Sequence, residues 1–217
     1  MFVTNNNQLG FIHIPRTGGT SVSTCFAVAE NGYAIKHMYR THALYKEFDH
    51  TQPQQWFATI RHPAARLHSG YYYQLGQDQR RVSGTLPMKS DLTQDFLKAR
   101  IDLFQQYGFE QTVISDDFAN KYRKLKSQHN IKSLNVLEQM QSVCEYINGC
   151  ENIVLFDIDT QSVELFDWIK SSMPMINHVH VNRKQSHARW QNELTDKLID
   201  YINYKYKDDL ERFGYTL

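Results

Sequence analysis

The sequence predicts an α/β fold built on a central, mainly parallel sheet flanked by helices. Two observations predict it. Short apolar runs bounded by turn residues recur at residues 9–14 (LGFIHI), 55–60 (QWFATI) and 152–158 (NIVLFDI). Between them lie longer stretches with helical spacing, and strands that alternate with helices pair in parallel through crossovers.

Taken in order, residues 9–14 read as a buried strand stopped by Pro15. A Gly-containing turn leads to a helix over 21–30, closed by Gly32. Residues 33–35 read as a second short strand and 55–60 as a third, stopped by Arg61-His62-Pro63. Proline at a first helical position lacks only an N–H that would be unpaired anyway, so a helix starts at Pro63 and runs to about Leu75. Residues 77–90 (QDQRRVSGTLPMKS) read as a polar surface loop. Residues 91–107 carry an Asp-x-x-Gln start and an apolar face, so they read as a helix. Further helices are expected within 115–149, over 161–172 and over 193–213. There is no internal repeat, low-complexity tract or linker, and the expectation is one domain over 1–217.

Composition excludes several classes. A formal net charge of +1 gives no global basic field, so nucleic acid is not an expected partner and any anion site must be local. Aromatic residues make up 13% of the chain, which is expected to serve chiefly as core. Cys25, Cys144 and Cys150 match no metal spacing and no disulfide framework, which fits a reducing compartment. The first residues, MFVTNNNQLG, lack a basic and an apolar signal region, and no apolar run is long enough for a membrane span. The expectation is a soluble, cytoplasmic protein.

The strongest chemistry lies in FIHIPRTGGTS. A strand feeds a loop of small residues and then a helix. Gly18 and Gly19 let main-chain N–H groups approach an anion, and the helix N-terminus adds unpaired donors and partial positive charge. Thr17, Thr20 and Ser21 add hydroxyls, and Arg16 adds a full charge with a planar fork. The Walker A pattern is absent, since the cation precedes the glycines. The segment resembles the 5′-phosphosulfate loop of the sulfotransferases that use 3′-phosphoadenosine 5′-phosphosulfate (PAPS), especially the branch that sulfates carbohydrates. In that branch a strand runs into a PKTGGTS-like loop, and Arg16 takes the place of the lysine. Arginine stays charged and gives up no proton, so the resemblance implies that Arg16 stabilises the leaving phosphate oxygen rather than protonating it.

A second segment, IRHPAARLHSGYYY, puts Arg61 at a strand end and Ser69 eight residues later on the helix begun by Pro63. Arg66 and Ser69 share a helix face. Arg61, Pro63, Arg66, Ser69 and Tyr71 match the spacing of the family's R-[DH]-P-x-x-R-x-x-S-x-Y segment. That resemblance implies that Arg61 and Ser69 bind the 3′-phosphate, the group that distinguishes PAPS from ATP.

Sulfuryl transfer asks for in-line geometry, charge stabilisation on the leaving oxygen and a base for the acceptor. Of ten histidines, His42 in RTHALYKEF lies where related enzymes carry a catalytic histidine. His37 and His13 are weaker candidates, and Glu47 and Asp49 are the carboxylate alternatives. Residues 138–157 resemble a later family segment, with Asp157 near its usual Glu; Asp157 also mimics a Walker B aspartate and keeps an ATP-dependent kinase in view. His180-Val181-Asn182-Arg183-Lys184 resembles the family's late "hvN" segment; Arg183 and Lys184 then either close over the cofactor phosphates or form a solvated basic turn. Arg80 and Arg81 are expected in an exposed loop.

The resemblance implies a P-loop-like α/β sandwich. It also implies an enzyme moving a sulfuryl group from PAPS to an acceptor hydroxyl, that of a carbohydrate, with adenosine 3′,5′-bisphosphate as product. No metal is expected. The partner is a small-molecule or glycan acceptor. The alternatives are a P-loop-like nucleotide or small-molecule kinase, or a non-catalytic module that binds adenosine bisphosphate or a glycan.

Overall fold

A computed structural model describes residues 1–4, 8–28, 35–38, 42–48, 53–172 and 190–217, with backbone alone at 27–28 and 35–38. The chain divides into two compact units. The first comprises Met1–Pro63, Gln141–Ser186 and Asp208–Tyr215; the second comprises Ala64–Met140, His187–Lys207 and Thr216–Leu217.

The first unit holds a five-stranded sheet made of β1 (Phe2–Thr4), β2 (Leu9–Ile12), β3 (Ile35–Met38), β4 (Gln55–Ile60) and β5 (Ile153–Asp157), in the order β3-β1-β2-β4-β5. β2 pairs in parallel with β4, and β4 with β5. β1 is antiparallel to both β2 and β3, so four of the five strands share one direction and β1 alone runs against them. The mainly parallel sheet is therefore present, with an N-terminal strand that the sequence reading omitted. The signal for it was a short apolar, β-branched run, Phe2-Val3-Thr4, separated from the next run by three asparagines. The Thr4 hydroxyl ties the pair together: it donates to the Leu9 carbonyl at 3.2 Å and accepts from the Leu9 N–H at 3.1 Å.

Period-2 alternation sends side chains to two cores. Leu9, Phe11, Phe57 and Phe156 face helices α1 (Gly19–Val28) and α6 (Ser162–Ser172), where they meet Val22, Phe26, Leu165 and Ile169. Ile12, Trp56, Ala58 and Ile60 face the other way, toward Val143, Tyr146 and Ile147 of α5 (Val143–Ile147). Helices thus cover both faces, and the α/β sandwich is what the structure shows. Asp209, fully buried on α8 (Lys207–Phe213), fastens this second layer by accepting the N–H groups of Val143 at 2.7 Å and Cys144 at 2.9 Å.

The second unit is helical: most of α2 (Pro63–Val82), then α3 (Gln94–Ile114), α4 (Asp116–Gln128) and α7 (Asp196–Lys205). Its core is aromatic, with Tyr71 stacked on Phe104 at 5.7 Å and Phe118 on Tyr122 at 5.8 Å. Here the structure corrects the expected loop over 77–90. Gly76 does not stop α2, which continues through Arg80 and Arg81 to Val82. The reason is tertiary: Asp78, 1% exposed, accepts from Gln74 and receives Nε and Nη2 of Arg100 at 2.7 and 2.6 Å. That pairing outweighs the cost of one helical glycine, about 1 kcal/mol. The expected helix end at Tyr107 coincides with a break at Gly108 (φ 65°), beyond which α3 resumes.

Candidate active site

The parallel strands β2, β4 and β5 end on one edge of the sheet, which is where ligands bind in open α/β folds. Off β2 come His13, Ile14 and the turn over residues 15–18, which passes directly into α1. Arg16 has φ 65° and Gly18 has φ 82°, with Thr17 on the ordinary negative side between them. A turn whose φ changes sign from residue to residue is one way for a chain to present main-chain N–H groups to an anion. Positive φ at a non-glycine residue costs energy and persists only where the surroundings hold it. Arg16 is held in that way.

The holding is visible. Thr17 is fully buried, its Oγ1 donates to the Ile14 carbonyl at 2.9 Å, and it meets Thr59 Oγ1 on β4 at 2.9 Å. Its hydroxyl therefore braces the loop against the sheet. Thr20 is exposed and Ser21 half-buried at the start of α1, and the Ser21 N–H closes the turn on the Gly18 carbonyl at 3.0 Å. Close packing demands both glycines: a Cβ at Gly18 would lie 2.7 Å from Ile158 Cγ1, and one at Gly19 2.2 Å from His13 Cδ2.

Off β4 comes Arg61, 4% exposed, whose Nε donates to Asp159 Oδ2 at 2.8 Å. Asp159 lies just past β5. Its N–H donates to Asp157 Oδ1 at 2.9 Å, and Asp157 Oδ2 accepts the Tyr215 hydroxyl at 2.5 Å. Burial, with the Asp157 hydrogen bond second, raises the Tyr215 phenol far above its ordinary value, so it stays a donor. His62 lies beside it, with ring centroids 5.1 Å apart. The guanidinium is thus anchored by a chain of contacts that runs through the end of β5 to Tyr215, just past α8.

His42 is half-buried at the turn before Ala43, a residue of the second core. Its ring meets that of His13 edge-on, centroids 4.9 Å apart and planes at 84°. His13 is 8% exposed. Burial first, then the charges of His42, the Met1 amine and Arg16, push its imidazole down to about 3. The structure therefore brings Arg16, Thr17, Gly18, Gly19, Thr20, Ser21, His13 and His42 into one region of the first unit, with Arg61 on the same sheet edge.

Ser69 lies half-buried on the second turn of α2, in the second unit, one turn after the buried Arg66. Arg183, Lys184 and Asp49 lie outside the described residues, as does the side chain of His37, whose backbone is in β3 opposite Val3. Burial raises the thiols of Cys144 and Cys150 to about 11, so both stay protonated. Among the described residues no group of His, Cys, Asp and Glu is arranged to hold a metal, and no helix is long and apolar enough to cross a membrane.

Sequence reasoning named His13 only as a weaker base candidate, and it missed Asp159 and Tyr215. A polar residue ending the period-2 row Leu9, Phe11, His13, immediately before an anion loop, was the available signal for the first. Nothing in the sequence announces that residues 98 positions apart, Arg61 and Asp159, will pair.

A family model described as the Sulfotransferase family matches residues 1–216. Neither a curated protein nor a solved structure gives a significant match. With the family model spanning nearly the whole sequence over an α/β sandwich, the chain belongs to the sulfotransferase family.

Proposed function

We propose that the protein transfers the sulfuryl group of PAPS to an acceptor hydroxyl, on a carbohydrate, and that residues 1–217 act as one sulfotransferase-like unit. The observation that carries this reading is the Arg16–Gly18 turn, with positive φ at both ends and its arginine, on the same sheet edge as the anchored Arg61. Two separated cationic sites suit a donor with phosphate at both ends. In this reading main-chain donors, a helix N-terminus and Arg16 serve the 5′ end, and Arg61 serves the 3′-phosphate, to which the family resemblance also assigns Ser69.

PAPS supplies an activated sulfuryl group and departs as adenosine 3′,5′-bisphosphate. His42 accepts the proton of the acceptor hydroxyl as its oxygen bonds to sulfur. Arg16 and the loop amides stabilise the negative charge left on the departing phosphate oxygen; Arg16 gives up no proton. Thr17 contributes rigidity through Thr59, while Thr20 and Ser21 supply hydroxyl donors. By the resemblance of their segment, Arg183 and Lys184 are further ligands of the phosphates.

The kinase alternative rests on Asp157 as a metal-holding aspartate. Both of its carboxylate oxygens are engaged, by the Asp159 N–H and the Tyr215 hydroxyl, which favours a structural task. Incubation with labelled PAPS and a panel of glycan and small hydroxyl acceptors tests the proposal. Transfer without added magnesium is expected. Binding of adenosine 3′,5′-bisphosphate with no transfer to any acceptor would favour a non-catalytic module.

A further inference from the structure

His13 stands between the anion loop and His42. On one side it rests on the main chain of Gly19, the first residue of α1: a Cβ there would lie 2.2 Å from its Cδ2 and 2.5 Å from its Nε2. On the other side its ring meets His42 at 4.9 Å, edge to face. Phe11 lies behind it at 5.6 Å. A fully hydrated histidine is not wedged in this way, and only glycine at position 19 leaves room for it.

The surroundings also say what His13 does not do. The groups acting on its charge are His42, Arg16 from the loop and the Met1 amine beside β1, and each disfavours a second cation. A ring held neutral through the working pH range, and so weakly basic, is a poor proton acceptor for catalysis. It is a rigid, uncharged spacer.

We propose that His13 is the positioning residue of this site: its ring, seated on Gly19, sets the distance and orientation of His42 relative to the phosphosulfate loop. The inference rests on the sulfotransferase reading and on His42 as the base. In-line transfer tolerates little misplacement, and an error of about 1 Å can cost roughly 10²-fold in rate.

The test compares wild type, His13→Ala and His13→Phe, each checked for folding by circular dichroism and for bisphosphate binding by calorimetry. His13→Ala is expected to lose roughly 10- to 100-fold in kcat, with KM for PAPS within about threefold. His13→Phe keeps a ring on Gly19 and is expected to recover kcat to within about fivefold of wild type. In parallel, the Cε1–H resonance of His42, assigned by its loss in His42→Asn, is followed by NMR. Edge-to-face contact gives it a ring-current shift that should persist in His13→Phe and vanish in His13→Ala.

Wild-type kcat in His13→Ala overturns the inference. So does His13→Phe as slow as His13→Ala when both fold and bind the bisphosphate. An unmoved His42 resonance in His13→Ala overturns the contact itself, whatever the turnover. A wild type that transfers no sulfate defeats the sulfotransferase reading instead, and the NMR comparison then still decides whether His13 holds His42.

Discussion

Nε of Arg61 donates to Oδ2 of Asp159 at 2.8 Å, joining the ends of β4 and β5 across the edge where the loop after β2 also lies. The arginine is buried and its partner is exposed at 37%, so the pair is wet on one side. Its value lies in direction more than in stability, because half-exposed ion pairs contribute little to folding.

Loss of this arginine should therefore be read in ligand discrimination. Arg61→Ala is expected to weaken adenosine 3′,5′-bisphosphate by at least about 30-fold, roughly 2 kcal/mol. Adenosine 5′-monophosphate, lacking the 3′-phosphate, should change less than about threefold. Asp159→Asn should show the same selective loss in smaller measure. Calorimetry with both nucleotides checks this, and an equal loss for the two would deny Arg61 its 3′-phosphate role.

Substitutions at Arg16 probe the leaving-group side. Arg16→Ala should lower kcat by about 10²–10³, the cost of removing one preorganised charge-stabilising group. Arg16→Lys should retain most of the rate, because the position needs charge rather than a fork. Single-turnover transfer from labelled PAPS measures both.

The buried His13 has a stability signature in pH. Its folded value, near 3, lies below the unfolded value of about 6.5, so the unfolded chain binds more protons between them. The stability this neutral ring supplies is complete above about pH 6.5 and is lost as pH falls toward its folded value. Denaturant unfolding at pH 7.5 and 4.5 should show wild type losing more than His13→Phe. Equal losses would mean that His13 is not held neutral.

In the helical unit, the side chains of Asp78 and Arg100 are both buried and joined by two hydrogen bonds. Asp78→Ala strands a buried guanidinium and is expected to cost about 3–5 kcal/mol of stability. Urea unfolding checks this, and a loss below about 1 kcal/mol would show the pair to be solvated.

How much of this was written locally differs from element to element. The β2 and β4 runs, the Pro63 helix start and the PRTGGTS loop are local patterns, and all appear where the residues place them. The break at Tyr107-Gly108 was equally local. The extension of α2 past Gly76 was not, because the Asp78–Arg100 bond that holds it joins residues on two helices. In the site, Arg16, the glycines and Arg61 were legible as charge and loop chemistry. The inward turn of the Thr17 hydroxyl depends on Thr59, and the seat of His13 depends on Gly19 and His42 meeting in space.

The central claim, a site built for an adenosine carrying phosphate at both ends, is tested most directly by calorimetric titration of adenosine 3′,5′-bisphosphate against ADP with magnesium. The account predicts that the bisphosphate binds at least about tenfold tighter, about 1.4 kcal/mol, and needs no metal. Tighter binding of ADP with magnesium would contradict it.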